Sequence, residues 1–136
     1  MAKRLVVVSL VMLAIAGSGW AFVNPSGRFG ISHYGVTTYS RLPVPVFDLQ
    51  VRDDGATRWV WKTHDIDADR LAWILQSKPQ VLIVGLGWSG SARAAKDLKA
   101  PAETKVMAVP TDEALSLFNS LREQGVRVAI HVHSTC

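Results

Sequence analysis

Two histidines and the single cysteine of the chain, His131, His133 and Cys136, lie close together in its final stretch. Residues two apart on a strand share a face, so His131 and His133 point the same way, with Cys136 reaching round from the end. Imidazole and thiolate are the ligands that zinc prefers, but a structural zinc site needs four. No C-x-x-C or H-x₃-H partner is present, and His33 and His64 would have to arrive through the tertiary fold. Cys136 with His133 three residues away also suits a thiol nucleophile and its base. No oxyanion donor is evident beside them, and a terminal residue is hard to hold in place. The simpler reading is two strand histidines and an inert terminal thiol. On that reading there are no catalytic residues and no metal ligands.

A second pattern with chemical meaning is Gly85-Leu86-Gly87-Trp88-Ser89-Gly90, which matches G-x-G-x-x-G directly after an apolar run. Such glycines let a backbone approach a pyrophosphate at a helix N-terminus. Gly85, Gly87 and Gly90 are therefore the candidate cofactor-binding positions. Against this, the strand is not the first of the domain. The third glycine opens a poor helix with Arg93, Lys96 and Lys99, and no acidic residue ends the next strand. A glycine turn at a crowded strand end is the better reading, and no cofactor is expected. Trp88, inside the turn, is the tryptophan expected to be exposed and to touch a partner.

These residues need elements to position them. Residues 31–39 suggest a first strand broken at Gly35, and Pro43 and Pro45 suit an edge or a loop. Phe47, Leu49 and Val51 alternate with Asp48, Gln50 and Arg52, the period of a half-buried strand. Asp53-Asp54-Gly55 turns the chain, and 57–61 returns as a hairpin partner. Trp59, Trp61 and Trp73 are expected in one apolar cluster beneath it. Asp67 is placed to cap a helix with Leu71, Ile74 and Leu75 on one face, ended by Ser77-Lys78-Pro79. Residues 81–84 read as a central strand, 91–98 as a short helix or irregular arm, and 104–109 as another buried strand. Thr111 is the expected N-cap of the best helix, with Asp112 and Glu113 in its first turn and Gly125 just beyond its end. The order is β-rich, then β-α-β-α-β, an α/β layer fold.

Lys3 and Arg4 precede an uncharged apolar run that fits the h-region of a signal peptide, with small residues at Gly19 and Ala21. Continued through Val23, the run spans about 19 residues, enough for a membrane anchor. The chain divides into a signal peptide or anchor over 1–23, a linker over 24–30 and one domain over 31–136. Export, or retention at the membrane, is the expectation, with a cytoplasmic protein as the alternative. The formal charge is +4, but removing Lys3 and Arg4 leaves 13 basic residues against 11 acidic ones. These are interspersed, so nucleic acid is not an expected partner. A lone cysteine excludes an internal disulfide framework.

The motifs together carry a resemblance. Val81-Leu-Ile-Val-Gly-Leu-Gly87, Val109-Pro-Thr-Asp-Glu-Ala114, Phe118-Asn119-Ser-Leu121, Gln124-Gly-Val-Arg-Val128 and His133-Ser-Thr-Cys136 resemble the Mth 938-like domain family, a domain of unknown function. The ending is closest to its adipogenesis-associated branch. The resemblance covers residues 30–136. It implies a three-layer α/β fold, with a central mixed sheet, flanking helices and an extra N-terminal β-hairpin. It also implies that Gly85, Gly87, Thr111, Asn119, His133 and Cys136 belong to the family pattern, and it carries over no active site. Relatives include a mitochondrial complex I assembly factor, so a non-enzymatic role through protein contacts is implied, with a possible patch of Trp88, Thr111, Asn119, His133 and Cys136. The alternative is a small-molecule, nucleotide or thiol-redox protein using the glycine turn or Cys136. His131 stands where the family usually has a small or apolar residue.

Overall fold

Tyr34-Gly35 and Ser40-Arg41 each reverse the chain near its start, with positive φ at Gly35, Ser40 and Arg41. They connect β1 (Phe29–His33), β2 (Val36–Tyr39) and β3 (Leu42–Pro45) into a small antiparallel sheet. The computed structural model describes residues 2–95 and 100–135. Ahead of this sheet stands α1 (Ala2–Val23). After it come β4 (Asp48–Val51), β5 (Thr57–Val60), β6 (Asp65–Ile66), α2 (Ala68–Leu75) and β7 (Val81–Gly85). The chain then runs through β8 (Arg93–Ala94), β9 (Lys105–Val109), α3 (Thr111–Glu123) and β10 (Val128–Val132). The expected arm over 91–98 contains β8, paired in parallel with β6, and its residues 96–98 fall outside the described residues.

The main sheet is mixed, in the order β5-β4-β10-β7-β9. β10 lies at its centre, parallel to β7 and antiparallel to β4. One face is covered by α3 and the small sheet, with Phe29, Tyr39 and Phe118 packing on Val51, Ile83 and Ile130. The other is covered by α2, through Leu71 and Ile74 against Leu82, Val84 and Ala129. The three layers expected for this α/β fold are present.

Local chemistry explains most boundaries. Gly55, with positive φ, closes the β4–β5 loop, and Ala56 N–H donates to Asp54 Oδ1 at 3.0 Å. Asp67 caps α2 as expected, its Oδ1 accepting from Arg70 N–H at 2.9 Å. Gly125, at φ 75°, terminates α3 in the left-handed region.

Four expectations are corrected. β4 is buried on both faces rather than half-buried, because its polar face meets the histidines of β10. β9 is an edge strand with Lys105 and Ala108 exposed, since no strand among the described residues pairs beyond it. The three tryptophans do not cluster. Trp59 and Trp61 are 53% and 79% exposed, while Trp73 lies under the guanidinium groups of Arg58 and Arg52. Finally, the folded body begins before residue 31, with Asn24 and Phe29 already buried.

The aromatic trio joins the layers. The Phe118 ring meets Phe29 and Tyr39 edge-on, at centroid distances of 5.2 and 6.2 Å. Phe118→Ala is expected to lower stability by about 3–5 kcal/mol in urea unfolding, and a loss near zero would contradict this packing.

Candidate functional site

The β4–β10 register sets Gln50 opposite His131, so Asp48, Gln50, His131 and His133 share the face beneath α2. All four are buried. His133 Nδ1 lies 3.0 Å from Asp48 Oδ2, and Ser134 N–H donates to Asp48 Oδ1 at 3.2 Å. His64 packs beside this pair, its ring centroid 5.3 Å from that of His133.

Gln50 ties His131 to the surface. Arg58 donates to Gln50 Oε1 through Nε and Nη2 at 3.1 and 2.7 Å. Arginine only donates, so the amide orientation is fixed and Gln50 Nε2 faces inward. Nε2 donates to Arg70 O at 2.8 Å and to His131 Nδ1 at 3.1 Å. His131 therefore carries its proton on Nε2, 3.8 Å from Asp48 Oδ2 and without a hydrogen-bond partner among the described residues. Burial pushes the His131 pKa down to about 4, overriding the pull of Asp48, and Arg70, His133 and Arg58 act in the same downward direction. The imidazole is neutral at pH 7. Its neighbours are a carboxylate and an amide, and among the described residues no group of three His, Cys, Asp or Glu side chains is placed to hold a metal ion.

The glycine turn is also a packing device. Thr111 does not cap α3 through its side chain, and Pro110 occupies the N-cap position. Its Oγ1 donates to His133 O at 2.8 Å and accepts from Gly87 N–H at 2.9 Å. A Cβ on Gly85 would stand 3.2 Å from that oxygen and 3.4 Å from both Ala114 Cβ and His131 O. Only glycine fits there without a shift. Leu86 N–H goes to Val109 O and Gly90 N–H to Gly87 O. Three amides of the turn are thus already engaged, and the next element among the described residues is the short strand β8 rather than a helix opening at Gly90. Trp88 is half-buried rather than exposed, because its Nε1–H donates to Ser134 O at 3.1 Å.

The structure thus brings Gly85, Gly87, Trp88, Thr111 and His133 together at the ends of β7 and β10. Asn119, on α3, lines a cavity of about 230 Å³ that Trp88 also lines, and its amide exchanges two hydrogen bonds with the backbone of Phe29 at 2.9 and 2.8 Å. His33 is exposed in the small sheet. Cys136 lies outside the described residues.

The accessible site lies elsewhere. Along β5 runs a groove of about 690 Å³, walled by Phe47, Trp59 and Trp61 and lined by Arg58, Asp65 and Arg70 among others. Phe47 stacks on Trp59 and leans on Trp61, at centroid distances of 5.7 and 5.0 Å. Arg70 Nη1 donates to Trp61 O at 2.7 Å and holds the far end. Asp48, His131 and His133 line neither this groove nor the smaller cavities of about 330 and 230 Å³. Sequence reasoning missed both the Asp48–Gln50 seam and this groove. The available signal was the pair Trp59 and Trp61 on one face of a strand that ends a sheet.

The family described as "Protein of unknown function (DUF498/DUF598)" matches residues 41–133. No curated protein matches the chain. Among solved structures, a protein called MT938 is 26% identical, with a TM-score of 0.69, over 82% of this chain and 100% of its own. The conserved hypothetical protein PH1505 from Pyrococcus horikoshii OT3 is 23% identical, with a TM-score of 0.68, over 80% and 99%. An outer membrane protein from Bartonella henselae is 17% identical, with a TM-score of 0.61, over 81% and 98%. The last two share the fold alone.

The seam has a consequence for pH. The His131 pKa is about 4 in the fold against 6.5 as a free side chain, so between these values the unfolded chain binds more protons. Its contribution is fully present above the unfolded value and is lost as pH falls through the folded one, on the order of 3 kcal/mol in all. Urea unfolding at about pH 7 and pH 4.5 should show this fall, and His131→Gln should reduce it. An equal fall in the variant would contradict the assignment.

Proposed function

This chain belongs to the DUF498/DUF598 family of proteins of unknown function, that of the Mth938-like domain, and from that premise we propose a non-enzymatic binding domain, exported or held at a membrane, that takes an extended segment of a protein partner along β5. The observation that carries this reading is the pair of exposed tryptophans on the free edge of the sheet. Arg52 N–H donates to Ala56 O at 2.9 Å, and hydrogen-bonded pairs alternate from there, giving Gln50–Arg58 and Asp48–Val60. Thr57 and Trp59 consequently turn their backbone groups outward. A free edge of this kind is a template for an added strand, with alternate side chains entering neighbouring pockets. The Phe47–Trp59–Trp61 wall offers the large, stiff contact area typical of interface anchors.

The non-enzymatic part rests on access. The groups with acid–base chemistry, Asp48, His131 and His133, are buried behind Gln50 and Arg58. α1 supports the location, since an 18-residue window within Lys3–Val23 has a mean hydropathy of 2.2 and the helix is long enough to cross a bilayer. Lys3 and Arg4 favour a cytoplasmic start, with the folded body on the other side. The Bartonella neighbour being called an outer membrane protein is in keeping with an envelope setting. Assembly of a membrane complex is one task that capture of a partner strand would serve.

Photo-crosslinking in native membranes tests the reading, with benzoylphenylalanine replacing Trp61 and, as a control, the exposed Ser116 on α3. Discrete polypeptide adducts are expected from position 61 only, and adducts no more frequent than at 116 would overturn the proposal. Trp59→Ala, placed in the position-61 probe protein, should abolish the adducts while shifting unfolding free energy by only about 0.5 kcal/mol.

A further inference from the structure

The 24–30 segment, which reads as a linker, is instead a tightly bonded joint between α1 and the folded body. Asn24 is fully buried. Its backbone N–H and its Nδ2 both donate to Trp20 O, at 3.0 and 3.2 Å. Its Oδ1 accepts from Ile31 N–H in β1 at 2.9 Å. Trp20 makes a second attachment, its Nε1–H donating to Arg41 O at the β2–β3 tip at 3.1 Å. Gly30 completes the fit, because a Cβ there would stand 2.2 Å from Asn24 Oδ1 and 2.7 Å from both Asn24 Cα and Val23 O. Beyond Asn24, Gly27 N–H donates to Ser40 Oγ at 3.1 Å, and Arg28 pairs with Glu123 of α3.

We infer that α1 is a retained membrane anchor, and that the Asn24 joint fixes the folded body on the bilayer with the β2–β3 tip at headgroup level. The inference rests on the membrane half of the proposal above and is independent of the partner half. Two observations carry it. First, α1 is exposed from Lys3 to Trp20, and its 22 residues span about 33 Å, the thickness of a hydrocarbon core. Cleavage after Ala21 would remove the Trp20 carbonyl and indole, leaving two buried Asn24 donors without an acceptor. Second, the surface around the joint suits an interface. Trp20 sits at the helix end, where indole rings favour the headgroup layer. Phe22 and Leu42, 87% and 67% exposed, flank the attachment, with Arg41 at the tip itself.

The orientation also places the groove. A cavity of about 330 Å³ extends from Ser26 and Leu42 to Thr57 and Trp59, so the β5 edge lies near the same end of the molecule as the joint. A partner strand bound there would be a juxtamembrane one.

The test uses the full-length chain with Cys136→Ser, purified from membranes and returned to phosphatidylcholine–phosphatidylglycerol vesicles. Intact mass should include residues 1–21. A start at Phe22 in a soluble fraction would overturn the inference, while leaving crosslinking at position 61 open to measurement in that fraction. Nitroxide labels at Leu42→Cys and Ser116→Cys then report orientation. The label at 42 should be several-fold less accessible to a water-soluble nickel chelate than the label at 116. Equal accessibility would overturn the fixed orientation. Asn24→Ala and, separately, Gly30→Ala should abolish that difference while the protein stays in the membrane and its Tm shifts by only a few degrees. A difference that persists in both folded variants would also overturn the role of the joint.

Discussion

The Asp48 carboxylate, buried on β4 beside the central strand of a five-stranded sheet, is the constraint around which the rest is arranged. An ionised carboxylate away from water costs several kcal/mol unless its oxygens are hydrogen-bonded. His133 Nδ1 and Ser134 N–H occupy the two oxygens. Both partners come from the end of the chain, so β10 must be in register with β4 before Asp48 is satisfied. A slip of one residue would turn His131 and His133 towards the Phe118 core and bring Ile130 and Val132 against Asp48 and Gln50. The polar seam therefore specifies the central pairing, and the apolar layers on both sides follow from it.

The same seam connects interior to surface. Gln50 holds His131 with one end of its amide and Arg58 with the other, while its NH₂ group also binds the α2 backbone at Arg70. Arg58, anchored in this way, covers Trp73 and lines the edge groove. Arg70 in turn grips the Trp61 carbonyl. The groove wall is thus braced by the buried network, and exposed aromatic residues keep a defined arrangement without being part of the core. The histidines are buried within this brace, His131 through Gln50 and His133 through Asp48.

Features that depend on neighbours in sequence were legible beforehand. The Asp53-Asp54-Gly55 loop, the Asp67 cap, the apolar strand at 81–84 and the Gly125 terminus each follow from local backbone preference. The family resemblance added the three-layer arrangement. What could not be read depends on partners distant along the chain. Asp48 and Gln50 look like the wet face of a strand until His131 and His133 arrive from more than 80 residues away. Thr111 looks like an N-cap, but Gly87 N–H and His133 O claim its hydroxyl. Trp59 and Trp61 resemble core residues by type, and only their place on an edge strand leaves them in solvent. The linker reading failed at Asn24 for the same reason, since its side chain binds backbone on both sides of the segment.

Nitrogen-15 NMR of the histidine side chains, followed from about pH 7.5 to pH 5, tests the seam most directly. Long-range proton–nitrogen correlations distinguish the two neutral tautomers from the cation. His131 should remain neutral across the range, protonated on Nε2 and bare on Nδ1, because Gln50 donates to Nδ1 and burial holds the pKa down to about 4. A proton on Nδ1, or a titration midpoint near the free-imidazole value of 6.5, would contradict the account.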